Sequence, residues 1–238
     1  MSRIATLIMA AGGSTRFGGC KLLAPVNGMP LLRRSINTAQ QVTPGHVFTV
    51  TGAWHEAIEK ARIEESWEPS SFIYHHGWAQ GLGSSIAAGV RYLVSIQAGY
   101  DAILVMLADQ IDLTPANLAA LTSQAAPRAM LCAAYGESCR GVPALFGSAH
   151  FDTLMRLNGD SGARQLLRSA PSAVVAVLMP SAAVDIDTPD ALAAWHQAAI
   201  QSHSHDSCLT ESGNGLDSTT PLSASFHHCS HKESYHHD

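Results

Sequence analysis

The chain has 238 residues, 46% of them hydrophobic and only 14% charged, with a net charge of −5. That is enough apolar material for a substantial core, and the lack of any Lys/Arg cluster excludes a nucleic-acid-binding surface. No apolar run is long enough to span a bilayer or form the core of a secretory signal, and the five scattered cysteines, an odd number with no C-x-x-C, fit free thiols in a reducing compartment, so a cytoplasmic protein is expected.

Ile4 to Ile8 is a short apolar run that predicts a buried strand. A helix is predicted from Leu31 to Gln41, a strand over Val47–Val50 and a helix from His55 to Glu65. Ser71–Tyr74 predicts a short strand. Ser84 to Gln97 predicts a helix, with Ser84 or Ser85 as its N-cap. Ala102–Leu107 is the most apolar strand and is expected at the centre of the sheet. Thr114-Pro115 opens the next helix, Thr as cap and Pro at the first position. Strands are predicted at Met130–Tyr135, Pro143–Phe146 and Val174–Leu178, and helices at Phe151–Leu157, Gly162–Ser169 and Pro189–Ile200. The alternation predicts a three-layer α/β domain over residues 1–200: a mostly parallel sheet with helices on both faces. Ligands in such sheets bind beyond the carboxyl ends of the strands.

From residue 201 the composition turns to Ser, His, Asp and Thr, and seven of the thirteen histidines lie there. A disordered 201–238 tail is expected, since it cannot bury enough apolar surface to fold. Its His and Cys residues offer metal ligands without a rigid frame, so a solvated tail is the favoured reading and metal binding the alternative.

The most informative stretch is Met9-Ala10-Ala11-Gly12-Gly13-Ser14-Thr15-Arg16-Phe17-Gly18-Gly19-Cys20-Lys21, directly after the first strand. Its four glycines make a loop that can turn tightly and expose backbone N–H groups. Arg16 adds a dispersed charge and Lys21 a point charge, in a chain with only two other lysines, Lys60 and Lys232. Such a loop suits a polyphosphate. There is no Gly-Lys-Ser/Thr ending and no G-x-G-x-x-G in register, so neither the P-loop nor the dinucleotide fingerprint is present.

The pattern A-A-G-x-S-x-R-F-G-x-x-K resembles the signature of the MobA-like nucleotidyltransferases, and within them it looks most like the molybdenum cofactor cytidylyltransferases. The resemblance implies a Rossmann-like nucleotidyltransferase fold. It implies substrate binding by Ala10, Ala11, Gly12, Gly13, Ser14 and Gly18, and catalytic roles for Arg16 and Lys21. Further segments match in order and extend the resemblance over nearly all of residues 1–200. Asp109 follows the central strand, where a carboxylate faces the ligand rim and suits Mg²⁺. Its alternative role is to cap the following turn, and Ile111 stands where the family has Pro. In Asp185-Ile186-Asp187-Thr188-Pro189 the two acids share one face of an extended strand. The resemblance makes Asp187 the second metal ligand and leaves Asp185 in support. Helix-dipole compensation is the other role open to Asp187.

Gly77 to Ser85 is a second glycine-rich loop running into a helix, and it resembles a substrate-binding segment that includes Gly81, Ser84 and Ser85. An ordinary strand-to-helix connection is the alternative. Arg140–Phe146 and Gly159–Arg164 match segments on the family's acceptor side, where Arg164 would bind a phosphate or simply lie on the surface. Together these imply Mg²⁺-dependent transfer of CMP from CTP to the molybdenum cofactor, releasing pyrophosphate. The expected partners are CTP, the cofactor, and a recipient molybdoenzyme or its chaperone. GTP-using relatives read Leu-Ala-Gly-Gly where this chain has Met9-Ala10-Ala11-Gly12, and carry an extra residue, with an Asp, before the lysine. Transfer to another small phosphate acceptor, and a non-catalytic cofactor carrier, are the alternative readings.

Overall fold

The computed structural model describes residues 2–67, 70–135, 139–160, 162–169 and 171–209. The described residues divide into two units, the first ending at Ala194 and the second beginning at Trp195. In the first, β1 (Ile4–Ala10) is buried from Ala5 onward, as its unbroken apolar run requires of a strand covered on both faces. The glycine-rich loop leads to a hairpin of β2 (Pro25–Val26) and β3 (Met29–Pro30), turned by Asn27 and Gly28 at φ 50° and 80°. The chain continues through α1 (Leu31–Gln40), β4 (Val47–Thr51), α2 (His55–Glu64), β5 (Ser71–Tyr74), α3 (Leu82–Ser95) and β6 (Ala102–Leu107). After these come α4 (Pro115–Thr122), β7 (Met130–Ala134), β8 (Arg140–Gly147), α5 (Phe151–Leu154), α6 (Gly162–Ser169), β9 (Val175–Leu178) and α7 (Pro189–Leu209).

Seven strands form one sheet in the order β5-β4-β1-β6-β8-β7-β9. All run parallel except β8, which is antiparallel to both neighbours. One face carries α3, α5 and α6 over a core that includes Leu7, Val50, Ile86, Val90, Val105, Phe146 and Leu167. On the other face α1 packs against β1 and β4, and α4 against β8. This is the doubly covered, mostly parallel architecture expected from the alternation of elements.

Three local expectations are corrected. Helix α3 begins at Leu82, so Ser84 and Ser85 lie inside its first turn and Gly81 is the cap, without a side-chain cap bond. The start is set by Gly81 at φ 101°, a conformation that residues with a side chain rarely adopt. Helix α5 stops at Leu154 rather than reaching Leu157. Helix α7 runs past residue 200 to Leu209, because no Gly or Pro interrupts residues 201–209. The expected disorder of residues 210–238 lies outside the described residues. Removing residues 210–238 is expected to leave the thermal midpoint and turnover unchanged, which a melting curve and an assay of the shortened chain would check.

The cap at Thr114 forms as predicted, as a capping box with Asn117. At the start of α7, Thr188 Oγ1 accepts from Ala191 N at 3.1 Å. Thr188→Ala is expected to lower stability by about 1 kcal/mol through loss of that cap, read as a shift in the denaturation midpoint. No disulfide joins Cys20, Cys132 or Cys139. Among the described residues no helix is long and apolar enough to cross a membrane.

Candidate active site

The carboxyl end of β1 feeds residues 11–20 onto the rim of the sheet. Two tryptophans hold this loop. Trp54 Nε1 donates to Gly13 O at 3.0 Å, and Trp78 packs against Gly13 and Gly52. A Cβ on Gly52 would lie 2.5 Å from Trp78 and 2.6 Å from Ala11 O, so only glycine lets the indole and the loop approach there. Ala11 O in turn accepts from Ala53 N at 3.1 Å. Ser14 sits at φ 52°, a left-handed conformation, with its hydroxyl buried and unpartnered among the described residues.

Asp109 and Asp187 are 78 positions apart and meet because their backbones are stitched together. Ile186 N donates to Asp109 O at 3.1 Å, Gln110 and Asp185 form an antiparallel bridge, and Ile111 N donates to Val184 O at 3.2 Å. The last bond explains Ile111: a proline there would lack the donor. Gln110 is buried, and its side-chain amide donates to Val142 O and Ala182 O, both at 2.8 Å. One side chain thereby ties β6, β8 and the segment leading to Asp187.

The two carboxylates converge on a single ammonium. Lys21 Nζ lies 2.5 Å from Asp109 Oδ2 and 3.0 Å from Asp187 Oδ1. Arg16 reaches Asp187 Oδ2 at 2.8 Å. The Lys21 and Asp109 side chains are only 14% and 16% exposed, so these charges meet in a region partly cut off from water. Burial pushes the Lys21 pKa down, but Asp109 and then Asp187 outweigh it, and the net shift is upward. The ammonium therefore stays charged through neutral pH. Its partnership is complete below the unfolded lysine pKa and fades only as pH rises through the raised folded value.

These groups border a cleft of about 390 Å³. Its lining brings together Ala10, Ala11, Gly12, Ser14, Arg16, Lys21, Gly81, Ser85, Asp109 and Asp187, ten of the residues expected from sequence. Four others stand apart from it. Gly13 lies beside the Trp78 ring, and Gly18 adopts a left-handed conformation at φ 74° with open space around it. Ser84 is buried and donates to Gly81 O at 2.8 Å. Arg164 is exposed on α6. Sequence reasoning did not single out Asp160, which lines the cleft and abuts Gly81. The Gly-Asp-Ser-Gly turn was its visible signal.

His75 Nε2 lies 3.1 Å from Ser84 Oγ. This is no nucleophilic pair, because the Ser84 hydroxyl already donates to the Gly81 turn. Burial, then Arg91 and His76, hold the His75 pKa below the ordinary histidine value. Tyr135 donates to Val142 O at 2.6 Å. Burial first, and Asp185 next, raise its phenol pKa far above the usual range.

The donor set suits a hard divalent cation. Among the described residues Asp109 Oδ1 is buried with no hydrogen-bond partner, while Oδ2 faces the Lys21 ammonium. Mg²⁺ takes one or two carboxylates and completes its shell with phosphate oxygens and water. Among the described residues no cluster of three or more His, Cys, Asp or Glu side chains forms a self-sufficient metal cage.

The profile of the MobA-like NTP transferase domain matches residues 6–174. The chain is 31% identical over 195 residues to the purine catabolism protein PucB of Bacillus subtilis, covering 77% of this chain and 91% of that protein. It is 30% identical over 178 residues to nicotine blue oxidoreductase of Paenarthrobacter nicotinovorans, covering 69% and 81%. The fold matches the manganese complex of Rv0371C from Mycobacterium tuberculosis H37Rv with a TM-score of 0.62, at 23% identity, over 80% of this chain and 96% of that one.

Proposed function

The chain belongs to the MobA-like NTP transferase family, and from that premise we propose that it transfers CMP from CTP to the molybdenum cofactor, giving the cytosine dinucleotide form and pyrophosphate. The observation that supports nucleotidyl transfer most directly is the meeting of Lys21 and Arg16 with Asp109 and Asp187 at the rim of one cleft. The choice of CTP rests on the Ala10-Ala11-Gly12 sequence and on the short Gly18-Gly19-Cys20 approach to Lys21.

In this reading the amides of the Gly12–Ser14 loop hold triphosphate oxygens in fixed directions. Lys21 and Arg16 neutralise charge that builds on the α-phosphoryl group and the leaving pyrophosphate. A terminal phosphate oxygen of the acceptor attacks the α-phosphorus, and the bond to the bridging oxygen of the β-phosphate breaks. The attacking phosphate is already anionic, so no general base is required. Mg²⁺ held by Asp109 and Asp187 would supply further charge neutralisation at the phosphate oxygens. Arg164, exposed on α6, would receive the acceptor phosphate. The product would pass to a recipient molybdoenzyme or its chaperone in the cytoplasm.

The test supplies molybdenum cofactor, Mg²⁺ and each nucleoside triphosphate in turn and identifies the product by mass. The expected product is the cytosine dinucleotide, with one pyrophosphate released per turnover. Binding of the cofactor with no pyrophosphate from any nucleotide would overturn the proposal in favour of a carrier.

A further inference from the structure

Lys21 stands between the two carboxylates, and Arg16 closes on the second of them. Each of the two carboxylates is thus already ion-paired, Asp109 with Lys21 and Asp187 with both Lys21 and Arg16. The backbone around Lys21 is pinned. Leu23 N donates to Cys20 O and Ala24 N to Lys21 O, both at 3.1 Å, and Leu22 is 4% exposed. Only the flexible side chain of Lys21 can therefore leave. An ammonium and a divalent cation cannot share the same oxygens, because like charges at that separation repel strongly where water is scarce.

We propose that Lys21 is a resident counter-ion of the Asp109–Asp187 pair that a divalent cation must displace, so that the metal enters with the triphosphate rather than ahead of it. The triphosphate supplies what the exchange lacks, a new anionic partner for the released ammonium and for Arg16. One residue then does two jobs in sequence: it keeps the carboxylates apart from stray cations, and it moves onto the phosphate oxygens once nucleotide arrives. The inference rests on reading Asp109 and Asp187 as metal ligands, but it makes its own claim about the protein without nucleotide.

Two measurements test it, neither reading turnover. The first titrates Mn²⁺ alone, without nucleotide, into the full chain and follows free Mn²⁺ by electron paramagnetic resonance. Wild type should bind weakly. Lys21→Met should bind at least about tenfold more tightly, since the acids lose the competing charge, and Asp109→Asn added to Lys21→Met should abolish the gain. The second needs no variant. Amine acylation read by mass spectrometry distinguishes the chain's three lysines, with the exposed Lys60 as internal reference. Saturating Mn²⁺ should raise labelling of Lys21 relative to Lys60, and CTP added with it should suppress that labelling. Equal Mn²⁺ affinity in wild type and Lys21→Met would overturn the proposal, as would Lys21 labelling indifferent to Mn²⁺. If both measurements come out as expected while no nucleotidyl product forms, the cation exchange stands and the proposed reaction falls.

Discussion

Asp109→Asn and Asp187→Asn are each expected to cut turnover on the order of 10²-fold or more while leaving the fold intact. Asparagine keeps the size of the side chain and removes the charge that faces Lys21. The architecture that positions residue 109 runs through its main chain, which accepts from Ile186 N, and through Gln110, so the substitution leaves that stitching in place. Either variant still leaves Lys21 one carboxylate partner. The stability loss should therefore stay below the roughly 3–5 kcal/mol that follows when a buried charge loses its partner entirely. Pyrophosphate release under saturating CTP and Mg²⁺ gives the rate, and circular dichroism with a melting curve gives the fold. Near-normal rates in both variants would remove Asp109 and Asp187 from the reaction.

The elements carrying this site were legible because their signals are local. β1 and β6 are apolar runs that end abruptly, one in glycines and the other in Asp109-Gln110, and that punctuation marks the rim of a parallel sheet. What sequence alone did not reveal depends on residues far apart. Nothing near Gly52 announces that Trp78 and Ala11 O press against it, and nothing near Gly81 announces Asp160. The bridge from Gln110 to Asp185, which brings the two acids together, pairs backbone atoms and leaves no trace in periodicity. Two features had signals that went unused. Asn27-Gly28 is a strong two-residue hairpin turn, but strands as short as β2 and β3 show no alternation to support it. The direction of β8 is implied by the short link from Ala134 to Arg140, far too short for a parallel crossover.

A preference for CTP over GTP is expected, of about 10–200-fold in kcat/KM, the range that a single methyl in a pocket commonly produces. Ala11 lines the cleft at 7% exposure, and its backbone is not free to yield. Its carbonyl accepts from Ala53 N, and Gly52 and Trp78 press on the loop from behind. The Ala11 methyl therefore sits on a fixed support, where glycine would leave more room for a purine. Ala11→Gly should raise kcat/KM for GTP, and CTP should remain preferred because the loop ahead of Lys21 keeps its length. The comparison needs both nucleotides at several concentrations with one acceptor, so that the ratio of kcat/KM is measured rather than a single rate. Wild-type protein that uses GTP as well as CTP would overturn the assignment of the base to this loop. A change in CTP use alone on Ala11→Gly, with GTP unaffected, would place base discrimination elsewhere on the cleft wall, where Trp78 and Asp160 also stand.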